Sequence, residues 1–428
     1  MSLRTRIDDV REMARAVTLL GIERLETGIV FNPMNAELRS DPYPFYARLR
    51  SKDPFHRCRA ADGWVLSRYE DVLSVLRDPS YSADERNYRR FSSFVRRLRN
   101  AGLRDPYADD RGSMLRLDPP DHTRLRGLVA KAFTPRAVER MRARIDAILK
   151  ELLDSRPARG PMELVTELAA PLPVRVIAEM LGIPPEDHER FRSWSNEVVR
   201  SLGDGKLEDR RAAQRAGEEL ERYLEAIIAA RRAAPREDLI SALVAAEEAG
   251  DRLKRNELLS TLTLLLVAGN ETTTNLISNA TLALLRNPDQ LEILRRAPEK
   301  VPGAIDELLR YDSPVQMTSR VACSDRELAG HRIQRGQQVI LLLASANRDP
   351  DAFSDPDRLD VTRSDVRHVA FSHGIHFCLG AQLARLEAGL ALEALISRFP
   401  SFKLLPQDIP WGSNTILRGP KALWLELS

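Results

Sequence analysis

Phe371-Ser372-His373-Gly374-Ile375-His376-Phe377-Cys378-Leu379-Gly380 is the stretch on which the fold turns. A cysteine stands where a turn-rich segment gives way to a helix. From there Leu379, Leu383, Leu386, Leu390 and Ile396 recur at helical spacing, and Pro400 marks the stop. The first amides of such a helix have no intrahelical partner and point back at the sulfur. Together with the helix dipole they favour a thiolate. Gly374 suits a tight turn, Gly380 removes a side chain beside the sulfur, and Phe371 can shield it from water. A lone cysteine at a helix start is usually inert and buried, and Cys58 and Cys323 read that way. Three cysteines so spaced form neither a disulfide framework nor a zinc site.

Outward from this stretch, Leu258–Leu285 carries a single charge, Glu271, and is long enough to cross a bilayer. Its middle reads Ala268-Gly269-Asn270-Glu271-Thr272-Thr273, a polar run too costly for lipid, so a buried helix is expected instead. Gly269 leaves room beside the helix. A mid-helix threonine can bond its own backbone and loosen the ladder, and an adjacent acid can relay protons. Glu307-Leu308-Leu309-Arg310 places an acid and a base at i, i+3, where they can pair. His122 and Arg126 share a helix face just after Asp118-Pro119-Pro120-Asp121, a helix-start signal.

The pattern Phe-x-x-Gly-x-His-x-Cys-x-Gly over residues 371–380 resembles the haem-binding loop of the cytochrome P450 family, and residues 268–273 are similar to its oxygen-activation motif. The likeness runs from about Asp41 to the end. It implies a mainly α fold with small β-sheets, the haem buried between a long central helix and the cysteine loop. Residues 1–40 are an uninformative N-terminal extension and 41–428 one haem-thiolate catalytic domain. It also implies haem b, with Cys378 as the iron ligand; iron-bound thiolate favours O–O cleavage. Ala268, Gly269, Phe371, Gly374 and Gly380 would surround the cofactor, and His122, Arg126, Arg320 and His376 would meet its propionates. Glu271 and Thr272 would be the catalytic acid and hydroxyl. Asn270 stands where many relatives carry His, a departure that touches nothing central. Glu307 and Arg310 would lock the core with Arg358, in Pro356-Asp357-Arg358. Phe91, Phe94, Leu264, Leu265, Val315, Gln316, Met317, Ile416 and Leu417 would line the substrate pocket.

The activity so implied is insertion of one oxygen atom from O2 into a lipophilic small molecule: a steroid, terpenoid, fatty acid or macrolide. Nothing after Phe399 resembles a flavin or iron–sulfur module, so electrons are expected from a separate ferredoxin or flavodoxin and its reductase. An H2O2-driven peroxygenase is the first alternative, and its relatives lack the acid–alcohol pair kept here. A haem isomerase or dehydratase would usually show damage to that motif. A non-catalytic haem sensor would need neither relay nor pocket.

Bulk properties are those of an ordinary soluble globular protein. The 428 residues include 43% hydrophobic and 30% charged side chains, enough for a large core. A net charge of +3 gives no reason to expect nucleic acid. Residues 1–16 are charged without an apolar core, so no secretory signal is expected there. A cytoplasmic monomer off the membrane is the expectation. Helices are expected at Ala137–Asp154, Glu218–Arg232, Leu258–Leu285 and Leu379–Arg398, and strands at Trp64–Leu66, Gln338–Leu343 and Leu423–Leu427. Seven arginines lie between Arg86 and Arg104, in what would be the pocket's lid. Phe91, Phe94, Val95 and Leu98 give this stretch the pattern of a short amphipathic helix. The arginines read first as a solvated face, and second as attraction for an acidic substrate.

Overall fold

The computed structural model describes residues 17–105, 107–108, 112–200, 207–248 and 253–428. Residues 1–16, where no secretory signal is expected, lie outside them. Long helices surround one 32-residue helix, Arg255–Arg286, which at 1.5 Å per residue is roughly 48 Å long. Residues 273–284 of this central helix are all buried. It carries polar residues through the core because their hydroxyls turn inward along the helix. Thr274, Ser278 and Thr281 donate to the carbonyls of Asn270, Thr274 and Ile277 at 2.8–2.9 Å. The helices Pro171–Met180, His188–Arg200, Val301–Tyr311 and Ala381–Arg398 pack against it. No helix among the described residues is long and apolar enough to cross a membrane.

The sheets are small. One has five strands in the order Phe55–Cys58, Gly63–Leu66, Gln338–Leu341, Thr318–Ala322 and Tyr81–Ser82. Only its second and third strands pair in parallel. A second sheet joins Gly160–Glu163, Trp424–Leu427 and Phe402–Leu404. Leu423, Leu425 and Leu427 alternate into the core, as their period of two predicts.

Several expected elements differ in extent. Ala137–Asp154 is two helices, Pro135–Glu139 and Arg142–Asp154, because the chain turns at residues 140–141. The helix expected at Glu218–Arg232 extends back to Leu207. The strand expected at Gln338–Leu343 ends at Leu341, and Leu343–Ala346 turns helical. The helix after the cysteine begins at Ala381 and not at Leu379.

Residues 17–40 are packed, not loose. Residues 17–27 are helical, and Ile29 and Phe31 join a buried cluster with Tyr46, Leu49 and Val65. Each such side chain contributes about 1.5–3 kcal/mol when fully buried. Glu23 is buried, accepts from the Arg59 amide at 2.6 Å and faces His56 at 3.6 Å. Two apolar residues separated by one give too short a pattern to read from sequence.

Candidate active site

Cys378 lies between a single tight turn, Gly374–His376, and the helix Ala381–Arg398. Its amide donates to the Phe371 carbonyl at 2.9 Å, and its carbonyl accepts from Ala381 at 3.4 Å. Gly374 has φ +70°, and a Cβ there would fall 2.5 Å from the Leu76 carbonyl oxygen, so only glycine fits the turn. A Cβ on Gly380 or Gly269 would meet nothing within 4 Å. Phe371 is buried, packs edge-on against Phe377, and lies under the Arg385 guanidinium at 4.7 Å. Arg385 is in turn held by Asp306 at 2.8 Å, a contact that a lone arginine seven residues past the cysteine does not announce in sequence.

By surface area Cys378 is exposed, yet burial pushes its thiol pKa up, against the Gly380 amide and the charges of Arg126 and Arg385. The residue is open on one side and desolvated by the protein packed on the other. The Gly380 amide is the donor expected at the helix start.

Beside this loop four basic residues converge. The rings of His122 and His376 stand 4.4 Å apart. Arg126 donates to the Phe377 carbonyl at 2.7 Å. Arg320 is buried and bonds only within its own strand, to the Ser319 carbonyl at 2.8 Å and Thr318 Oγ1 at 3.4 Å. Burial, then Arg320, His122 and Arg126, hold the His376 pKa down at about 3. Burial, then Arg126, lowers that of His122. Burial lowers Arg126, and takes Arg320 down to about 10. Both nitrogens of His122 and Nε2 of His376 are buried without a hydrogen-bond partner. Each such atom costs about 1–3 kcal/mol. A cluster short of negative charge and rich in unpartnered nitrogens fits a ligand bearing carboxylates, and the propionates of a haem meet that description.

Facing outward from the central helix, Ala268 and Gly269 are exposed although they lie mid-helix, so open space adjoins them. The Thr272 hydroxyl donates to the Ala268 carbonyl at 2.7 Å, the self-bonding expected of it. Burial raises the Glu271 pKa, and Lys421, 3.8 Å from its carboxyl, opposes the rise. Asn270 is buried and donates to Ser195 Oγ at 3.2 Å.

The triad expectation needs a correction. Glu307 and Arg310 pair at 2.7 and 2.8 Å, but Arg358 contributes only its backbone carbonyl, 3.1 Å from Arg310, and is itself exposed. The second arginine on Glu307 is Arg363, with Nε 3.2 Å from Oε2, close enough to pair charges although its N–H is not aimed at the oxygen. Two arginines in one loop could not be told apart by spacing.

The pocket residues divide. Val315, Ile416 and Leu417 gather with Val199 and Val267, and Leu264 is half-buried one turn before Ala268. Leu265 packs into the main core. Gln316 and Met317 are corrections. Gln316 is buried, accepting from Tyr46 and donating to the Ser313 carbonyl, and Met317 packs against the Ile29–Phe31 cluster. The lid stretch does form a helix, Phe91–Asn100, with Val95 and Leu98 buried. Phe91 stacks edge-on with Tyr107, and Phe94 lies under Arg210. Five of its seven arginines pair with carboxylates among the described residues: Arg86 with Asp84, Arg89 and Arg90 with Asp62, Arg99 with Asp105, and Arg104 with Glu221.

The chain is similar to known proteins of one family along most of its length. The sequence model described as cytochrome P450 matches residues 205–304 and 299–424. Cytochrome P450 107B1 of Saccharopolyspora erythraea is 44% identical over 391 residues, 90% of this chain and 94% of that one. Cytochrome P450 monooxygenase PikC of Streptomyces venezuelae is 42% identical, over 91% and 92%. The solved structure of the bacillaene polyketide synthase cytochrome P450 PksS, from Bacillus subtilis 168, superposes with a TM-score of 0.84. It has 41% identity over 93% of this chain and all of that one.

Proposed function

From the premise that this chain belongs to the cytochrome P450 family and is a monooxygenase, we propose that it hydroxylates a lipophilic small molecule. One atom of O2 enters the substrate, and a separate ferredoxin or flavodoxin with its reductase supplies the electrons. The observation that carries the site assignment is the cluster of His122, His376, Arg126 and Arg320 beside Cys378, with its three unpartnered ring nitrogens.

Haem b, when bound, supplies the binding, reduction and cleavage of O2. The chain's own residues do the rest. Cys378 presents its sulfur, steadied by the Gly380 amide. The four basic side chains would hold the propionates, each gaining a counter-charge that offsets the burial of its own positive form. Ala268 and Gly269 would leave room beside the central helix for the cofactor and its substrate. Thr272 gives its hydroxyl hydrogen to Ala268, which leaves the oxygen's lone pairs free to accept from water or an incoming proton donor. Glu271, with a carboxyl pKa raised by burial, can hold a proton nearer neutrality and release it inward. Val315, Ile416, Leu417 and Leu264 give an apolar wall, which suits a steroid, terpenoid, fatty acid or macrolide. PksS is named for polyketide biosynthesis, a lipophile of that order of size.

The test is spectroscopic. Reduced protein under CO is expected to give the red-shifted thiolate Soret band. Cys378→Ser abolishes it, and Cys58→Ala and Cys323→Ala leave it in place. A thiolate band surviving in Cys378→Ser would overturn the assignment.

A further inference from the structure

We propose that Lys421 is a positioning residue that fixes the Glu271 carboxyl and governs proton entry beside the central helix. The inference rests on the proposed role of Glu271 as the proton-relaying acid. It starts from how residues 410–421 are folded. Trp411 bridges Pro420, the Gly412 amide donates to the Gly419 carbonyl at 3.1 Å, and the Lys421 amide donates to Pro410 at 2.6 Å. The chain therefore doubles back around the pocket-wall residues Ile416 and Leu417, which lie within the turn.

This hairpin is seated firmly on the central helix. A Cβ on Gly419 would fall 2.1 Å from Asn275 Oδ1, so the Asn275 side chain packs directly on the hairpin backbone where only glycine leaves room. The Asn279 amide donates to the Arg418 carbonyl at 3.0 Å. Asn275 and Asn279 lie one and two turns beyond Glu271. The Arg418 side chain holds the other side, bonding both Asp312 oxygens and the Ser40 carbonyl and stacking 3.8 Å from the Trp411 ring. Lys421 thus leaves a fixed base. Its stem crosses Gly412, where a Cβ would come 3.4 Å from Cε and 3.8 Å from Nζ. The ammonium ends 3.8 Å from Glu271 Oε1.

Exposure decides what this contact can do. The Lys421 side chain is 56% exposed and that of Glu271 only 16%. One ammonium therefore touches solvent and a nearly buried carboxyl together. Lys421 is also the one charged group acting on that carboxyl among the described residues. Held this way, Glu271 faces the solvent side when ionised. It takes a proton there, is released from the ammonium once neutral, and passes the proton toward its neighbour Thr272. Glu271 ends the cycle as it began.

The experiment uses the haem-loaded full chain, with Lys421→Met, Lys421→Gln, Lys421→Arg and Glu271→Gln. Infrared spectra against pH follow the carboxylic-acid carbonyl band that Glu271→Gln removes. Lys421→Met and Lys421→Gln are expected to move its midpoint upward by about half a pH unit, and Lys421→Arg to restore it. With a surrogate ferredoxin pair and myristic acid as probe, the share of NADPH electrons recovered as H2O2 should rise about threefold in Lys421→Met. It should not rise in Lys421→Arg. Added to Glu271→Gln, Lys421→Met should change nothing further. An unmoved midpoint in both neutral variants overturns the proposal. If Glu271→Gln removes no band and leaves H2O2 release unchanged, the acid role itself fails, whatever Lys421 does.

Discussion

Two buried clusters in this chain are built from similar polar residues and end in opposite states. Around Glu307 and Arg310 the guanidinium makes five hydrogen bonds, two to Glu307 and one each to the carbonyls of Asn347, Pro356 and Arg358. Glu307 also accepts from the Asp360 amide at 3.0 Å. Around His122, His376 and Arg320 three ring nitrogens have no partner, and basic groups depress one another. A satisfied cluster is complete without a ligand and holds the fold. An unsatisfied one is costly alone and is completed by what it binds.

The largest effect that could break this contrast is on the satisfied side. Arg310→Leu strands the Glu307 carboxylate and three carbonyls, so a loss of about 3–5 kcal/mol in unfolding free energy is expected by urea titration. A loss below about 1 kcal/mol would show that the cluster is not a lock.

Glu387 sharpens the contrast from a third position. It lies on the helix after the cysteine, fully buried, with Oε2 unpartnered and its pKa raised by burial to about 8. Between pH 4.5 and 8 the folded chain keeps a proton there that the unfolded chain has lost. Its contribution is therefore fully present below the unfolded value and drains away as pH rises through about 8. A decline of roughly 2–4 kcal/mol over that interval is expected from this group. Glu387→Gln should flatten the stability profile above pH 5, and an unchanged slope would count against an uncharged Glu387.

Next comes the arginine correction. Arg363→Leu should cost about 1–2 kcal/mol through the lost charge pair on Glu307. Arg358→Ala keeps the carbonyl and should lie within about 0.5 kcal/mol of the parent. The reverse order would restore Arg358.

The unsatisfied cluster should respond differently. Arg320→Met is expected to weaken haem retention about tenfold, near 1.4 kcal/mol, while leaving the haem-free chain as stable as the parent. Equal destabilisation of both forms would make Arg320 a structural residue like Arg310. The smallest effect belongs to the lid. Because Arg89 and Arg90 are already paired with Asp62, exchanging both for Gln should change the preference for a fatty acid over its methyl ester less than twofold.

Local sequence alone determined the helical class, and it marked the cysteine turn and the polar break in the central helix that the family likeness reads as the haem loop and the oxygen-side motif. Each is a run of neighbours whose spacing carries its own physics: Cys378 at a helix start, Gly269 to Thr272 interrupting an apolar helix, and Leu379 to Ile396 at helical period. His122, Arg126, Arg320 and His376 could be named only through the family likeness, since nothing local links residues spread from position 122 to position 376. Tertiary structure alone decided the partners. It placed Arg363 where Arg358 was expected, because both sit in one loop and only the path of the backbone says which side chain reaches Glu307. It turned Gln316 inward to Tyr46 and the Ser313 carbonyl, since the facing of a residue in an irregular link before a strand follows the path of the chain and has no period to read. It packed Ile29 and Phe31 from a segment with no readable period. And it brought Lys421 to Glu271 across 150 positions, by a hairpin whose seat on the helix depends on how Gly419 meets Asn275. Hydrogen bonds and charge pairs act over a few ångströms of space, and sequence distance carries no information about such contacts.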